Sequence, residues 1–190
     1  LKGLLPIAVL PIEIVCDASP YGHGAYIVVG GSIVSYVAAP VANNDCDTLG
    51  ISQNSDGQQA FECMCVLIAL RLWTKIWACE RFSLAIKGDN ITALAMVTKM
   101  KAQGPALRNI AREMALDLAE TTYEPDLAVH TPGVQNDVAD WLSRVFEPGA
   151  DKPMPVGLNN ALRQYPPRRD QAWWRVTHNP PSPPVAPHGE

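Results

Sequence analysis

Apolar positions along the chain alternate in some stretches and recur at helical spacing in others. Residues 13–18, Glu-Ile-Val-Cys-Asp-Ala, read as a strand that ends in an acid. Ser-Pro-Tyr-Gly-His-Gly at 19–24 is turn chemistry, and 25–29 is a second strand. Gly30-Gly31 suits a hairpin, after which 33–38 form a third strand. Residues 43–57 are polar and rich in turn formers, and are expected to be a loop. The run 60–77 is apolar nearly all round, which predicts a mostly buried helix. Strands are expected at 82–86 and 127–130, and helices at 90–99, 106–121 and 136–145. Pro105 falls in the first turn of the 106–121 helix, where its missing N–H costs nothing. The order βββαβααβα predicts an α/β fold: a five-stranded mixed sheet with helices on its faces, three antiparallel strands followed by strands alternating with helices.

Composition divides the chain. It has 190 residues, 47% hydrophobic and 18% charged, enough to bury a sizeable core. Ten of its 17 prolines lie in the last 43 residues. We therefore expect an N-terminal extension over 1–11, a folded domain over 12–147, and a Pro-rich, largely irregular tail over 148–190. Charge divides at the same place. Residues 1–147 carry 10 Lys and Arg against 16 Asp and Glu, whereas the tail carries 5 against 3. An acidic body argues against a free-standing, high-affinity nucleic-acid binder, but allows an enzyme that gathers cations in a carboxylate cluster.

The five cysteines, Cys16, Cys46, Cys63, Cys65 and Cys79, have no framework spacing and suggest reduced thiols inside a cell. Cys63 and Cys65, two apart on a helix, point away from each other. Residues 4–10 are too short and proline-broken to span a membrane, and no signal-peptide pattern precedes them. An intracellular location in cytoplasm or nucleus, no membrane association and a monomeric state are expected. Because the chain starts at Leu1 rather than Met, it is also expected to be a segment of a longer polypeptide.

Four acids stand in settings that disfavour an isolated charge. Asp17 ends a central strand, Glu62 opens the most apolar helix, Asp89 sits at a strand-to-helix junction, and Asp140 lies inside Val-Ala-Asp-Trp-Leu. Each has a plain structural explanation: a turn cap for Asp17, a helix dipole for Glu62, an N-cap for Asp89, an i,i+4 pair with Arg144 for Asp140. Convergence on divalent cations would explain all four together. His130, at a strand end, is followed by Asn136 and Asp140 at six and ten residues.

The motifs Val-Cys-Asp-Ala-Ser at 15–19, Gln-Ala-Phe-Glu at 59–62, Lys-Gly-Asp-Asn at 87–90 and His-Thr-Pro-Gly-Val-Gln-Asn-Asp-Val-Ala-Asp-Trp-Leu-Ser-Arg at 130–144 resemble those of ribonuclease H domains of the retroelement, reverse transcriptase-associated type. The resemblance covers about 12–145. It implies the ribonuclease H-like fold and hydrolysis of the RNA strand of RNA–DNA hybrids with two Mg²⁺ or Mn²⁺ ions. It implies Asp17, Glu62, Asp89 and Asp140 as metal ligands, with Asp17 bridging both ions, and His130 assisting proton transfer or product release. Asp140 rather than Asp137 matches the family's last acid. Ser19, Gly22, Gly24, Gln59, Asn90 and Asn136 are candidates for substrate contact. The family's usual residue at position 59 is Asn, a departure. The basic protrusion of some cellular members has no room at 100–105, leaving Lys99, Lys101, Arg108 and Arg112 as a modest basic patch. A neighbouring reverse transcriptase domain in the parent polypeptide is then an expected partner. The alternative is a catalytically silent domain of the same fold, tethered to a polymerase.

Overall fold

A computed structural model describes residues 12–77, 83–88, 102–120, 124–130 and 136–176. Six strands form one mixed sheet: β1 (Ile12–Ala18), β2 (Gly22–Val29), β3 (Ser32–Pro40), β4 (Ser83–Gly88), β5 (Glu124–His130) and β6 (Leu162–Gln164), in the order β5-β4-β1-β2-β3-β6. β1 to β3 are the antiparallel meander, and β4, β5 and β6 join it in parallel. The Gly30-Gly31 hairpin has positive φ at both residues, 59° and 83°, which glycine accepts without a steric cost. Pro125 falls in β5, at the end of the described strand order, and the β4–β5 register shifts beside its partner Leu84; edge strands and bulges are where a sheet tolerates proline.

Alternation along β1 separates two faces. Ile12, Ile14, Cys16 and Ala18 join the main core with α2 (Gln58–Trp77) and α3 (Pro105–Glu120). Tyr26, Tyr36 and Ala38 meet α4 (Asp137–Arg144) on the other face, through Leu142, Val138 and Trp141. Asp17 pairs in register with Gly24, and Gly24 with Ala38, so these three form a row across the α4 face.

The five expected strands are present, and the fold is the expected mixed α/β sheet. Two expectations need correction. The 43–57 stretch is not a loop throughout: it holds α1 (Asn43–Leu49) and a 3₁₀ turn (Ser55–Gly57). Gly50 closes α1 in the left-handed conformation, and buried Cys46 and Leu49 anchor the otherwise polar helix. The sheet also gains a sixth strand from the Pro-rich segment, β6 beside β3. The helix expected at 90–99 lies outside the described residues.

Residues 148–176 have little regular structure, yet they are not loose. Leu158 and Trp174 are fully buried, the latter in the main core. Arg169 donates to Asp45 at 2.5 Å and to the Pro40 carbonyl. Arg71 bridges α2 to Asp117 at 2.6 Å and Glu113 at 2.8 Å, donates to the Trp173 carbonyl, and lies 4.4 Å over the Trp173 ring. Proline limits regular structure here, but aromatic and guanidinium anchors still fix the chain. Among the described residues no helix is long and apolar enough to cross a membrane.

Candidate metal centre

Asp17 stands near the end of β1, on the face covered by α4, and is only 6% exposed. The Ser143 hydroxyl lies 2.6 Å from its Oδ2 and 2.9 Å from the Asp140 carbonyl; the carboxylate is the stronger acceptor for its single proton. Ser19 ties the same turn of α4 from below. Its hydroxyl donates to the Ser143 carbonyl at 2.8 Å and accepts from the backbone N–H groups of Tyr21 and Gly22.

Glu62 is 5% exposed in the second turn of α2. Gln58 Nε2 lies 2.7 Å from both Glu62 Oε1 and the Ala18 carbonyl. One amide thus joins the start of α2 to the end of β1, beside Asp17. Gln59, the expected substrate contact, is exposed.

Asp140 is half-exposed, and its carboxylate accepts from Arg144 Nε at 2.6 Å. This hydrogen bond raises the Arg144 pKa above its ordinary value, with the charges of Asp140, Glu147 and Asp17 adding to it against a smaller opposing effect of burial. Asp137 is exposed. Asp89 and Asn90 lie outside the described residues. β4 ends at Gly88, and β5 ends level with it at His130, but the placement of the His130 imidazole is also outside the described residues. Among the described residues no three His, Cys, Asp or Glu side chains converge closely enough to hold a metal ion.

The other candidate substrate residues have structural work. A Cβ on Gly24 would lie 2.4 Å from Ser143 N and 2.5 Å from the Ala139 carbonyl, so the close approach that this glycine permits is that of α4. On Gly22 it would meet the Ser143 carbonyl at 2.9 Å and Phe146 at 3.0 Å. Asn136 is buried and donates to the Cys16 carbonyl at 3.3 Å. Ser19, Gly22, Gly24 and Asn136 together seat α4 on β1 and β2.

The donor set suits a hard cation. Asp17 and Glu62 are carboxylates that receive short bonds from a hydroxyl and an amide, an all-oxygen arrangement fitting Mg²⁺ or Mn²⁺. Thiolate ligation is disfavoured. Burial, with Glu62 nearby, pushes Cys63 up to about 12, and burial also raises Cys65 well above its ordinary value.

Sequence reasoning did not single out Gln58 or Ser143. The available signals were spacings: Gln58 lies four residues before Glu62, and Ser143 three after Asp140.

No protein-family model matches the chain, and no curated protein sequence matches it. Solved structures do. LC11-RNase H1, isolated from compost by a metagenomic approach, is 16% identical, with a TM-score of 0.52 over 74% of this chain and 99% of that one. The same enzyme in complex with an RNA/DNA hybrid gives 17%, 0.51, and the same coverage. The N-terminal RNase H domain of rv2228c from Mycobacterium tuberculosis, solved as a fusion with maltose-binding protein, gives 14% and 0.51 over 70% of this chain and 95% of that one. Likeness at this identity speaks to architecture, and by that architecture the chain is an α/β domain of the ribonuclease H-like fold.

Proposed function

We propose that this domain is an endonuclease that hydrolyses the RNA strand of RNA–DNA hybrids with two divalent cations. The observation that carries the reading is a pair of buried carboxylates at one end of the sheet: Asp17, bonded to Ser143 of α4, and Glu62, tied through Gln58 to the neighbouring Ala18 carbonyl. A neighbour of the same fold has been solved with an RNA/DNA hybrid bound, which supports the substrate class.

In this reading Asp17, Glu62, Asp89 and Asp140 would hold the two ions. Bound Mg²⁺ or Mn²⁺ would supply an activated water and neutralise the leaving 3′ oxygen. The chain's own residues do the positioning. Ser143 fixes the rotamer of Asp17, and Gln58 fixes that of Glu62. Arg144 meets Asp140 through Oδ1, and this half-exposed ion pair is weak enough to break when Asp140 turns to a cation. His130 would shuttle a proton at the end of β5. Choice of RNA requires a contact to the 2′-hydroxyl. Exposed Gln59 is suited to that, with Asn90 a second candidate.

We further propose that the domain derives from a retroelement polyprotein and works beside a reverse transcriptase domain that supplies much of the substrate affinity. The acidic charge of residues 1–147 supports this. A second reading, a silent domain of the same fold, is favoured by one observation: Asp140 is held by Arg144. A labelled hybrid incubated with the chain in Mg²⁺ or Mn²⁺ separates them. Hybrid-specific cutting of the RNA strand is expected. Absence of cutting in both metals supports the silent domain, and equal cutting of single-stranded RNA or duplex DNA rejects the substrate assignment.

A further inference from the structure

The row Asp17, Gly24, Ala38 continues beyond the antiparallel meander. β6 extends the sheet past β3, with Arg163 in register with Tyr36 on the α4 face. Two residues on, Tyr165 is on the same face by alternation, and the Arg163 guanidinium lies 5.0 Å over its ring. A cleft of about 380 Å³ opens there, lined among others by Ala38, Pro40, Phe146, Arg163, Tyr165 and Arg168. It falls within the size range of small-ligand sites. Ala38 is two strands from Asp17, roughly 10 Å at ordinary strand spacing, and Tyr165 is one strand further. Phe146, just past α4, packs beside Gly22 and faces the cleft between the two.

The charges in this region are distinctive. The arginines of the 148–176 segment fall into two groups. Arg169 and Arg175 are committed to Asp45 and Glu120. Arg163 and Arg168 are exposed and, among the described residues, form no ion pair. In a chain of net charge −4, two such guanidiniums beside exposed Tyr165 and Phe146 make a local cationic, aromatic surface. That combination matches single-stranded nucleic acid: guanidiniums hold phosphates, and rings stack bases without regard to sequence.

We propose that this cleft binds single-stranded nucleic acid, as the landing site for the unpaired extension of a hybrid whose duplex part occupies the metal centre. Its cationic groups and Tyr165 come from the C-terminal segment, while Ala38, Pro40 and Phe146 of the body form its other wall. For the role of its ligand the proposal rests on the nuclease reading above, but its binding chemistry does not require the metal.

The test uses the full chain in EDTA with short fluorescein-labelled oligothymidylate and oligouridylate, read by anisotropy across a salt series. The intact chain should bind both. The double variant Arg163→Ala/Arg168→Ala should weaken binding by at least roughly ten-fold and reduce the slope of log K against log salt by about 1.4, the value for two single-strand phosphate contacts. Tyr165→Ala should weaken binding by roughly ten-fold with the slope unchanged. Both sites are exposed, so folding should survive, and circular dichroism checks that. Equal binding by all three proteins, or no binding by the intact chain, overturns the proposal. Binding of one oligonucleotide but not the other would identify DNA or RNA as the natural strand. Cleavage of a blunt hybrid by the intact chain is measured alongside. Cutting without arginine-dependent oligonucleotide binding removes the cleft and keeps the nuclease. Arginine-dependent binding without cutting does the reverse.

Discussion

Two sets of buried acids in this molecule are met in different ways. Asp45 and Glu113 receive guanidinium donors, from Arg169 at 2.5 Å and Arg71 at 2.8 Å. Asp17 and Glu62 receive a serine hydroxyl and a glutamine amide. The first set joins helices to the C-terminal segment, where a built-in cation makes a permanent link. The second set sits at the end of the sheet, where a hydroxyl and an amide orient the carboxylates. A guanidinium bonded to a buried acid makes a fixed link between segments; a hydroxyl or an amide bonded to one sets the direction of its carboxylate.

That contrast is most severely tested by removing an arginine. Arg169→Met strands Asp45 in a buried setting and should cost about 3–5 kcal/mol in chemical denaturation. Adding Asp45→Leu should recover much of the loss. A cost under about 1 kcal/mol for the single change would mean that the segment is not held as described.

His23 reports on the same packing from within β2. It is fully buried, and burial, with Arg169 nearby, lowers its pKa from 6.5 to about 3. As pH falls, the unfolded chain takes up the proton first. The contribution of neutral His23 is therefore complete above pH 6.5 and declines below it, by about 1.4 kcal/mol per pH unit until the folded value is approached. Denaturation of the wild type and His23→Gln between pH 7 and about 4.5 should show a steeper loss for the wild type. Parallel curves would place the histidine in a wetter site.

Ser143→Ala separates orientation from neutralisation. It should cost about 1–3 kcal/mol of stability, as the loss of a buried hydrogen bond to a carboxylate. It should weaken Mg²⁺ binding by roughly 10- to 100-fold, measured by calorimetry. Unchanged metal affinity would show that Asp17 does not depend on this hydroxyl. The smallest stability effect is expected at Arg144→Ala, below about 0.5 kcal/mol because the Asp140 pair is half-exposed. Its informative effect is on metal affinity, which should rise as Asp140 is released.

The sequence made the body legible because its strands alternate and its long helix is apolar throughout; Asp17 and Glu62 stood out as acids in those settings. What it concealed has identifiable physical causes. Gly22 and Gly24 announced a close approach, but a glycine does not say what approaches, and α4 is what packs against both. Gln58 and Gln59 are adjacent in sequence, yet one helical position rotates a side chain by about 100°, so only Gln58 reaches Glu62. The polar 43–57 stretch hid α1 because its anchors, Cys46 and Leu49, are few. The prolines after residue 147 argued against regular structure and were silent about packing, which Trp173, Trp174 and Arg169 supply through long-range contacts.

Cleavage of a labelled RNA–DNA hybrid in Mg²⁺ by the wild type and Asp17→Asn, side by side, tests the central claim most directly. The substitution keeps the size of the side chain and its hydrogen bond to Ser143 while removing the charge that a cation needs. The account predicts RNA-strand cutting by the wild type and a loss of at least roughly a thousand-fold, about 4 kcal/mol of transition-state stabilisation, in a variant that remains folded. Undiminished cutting by folded Asp17→Asn, or a wild type that leaves the hybrid intact, would contradict it.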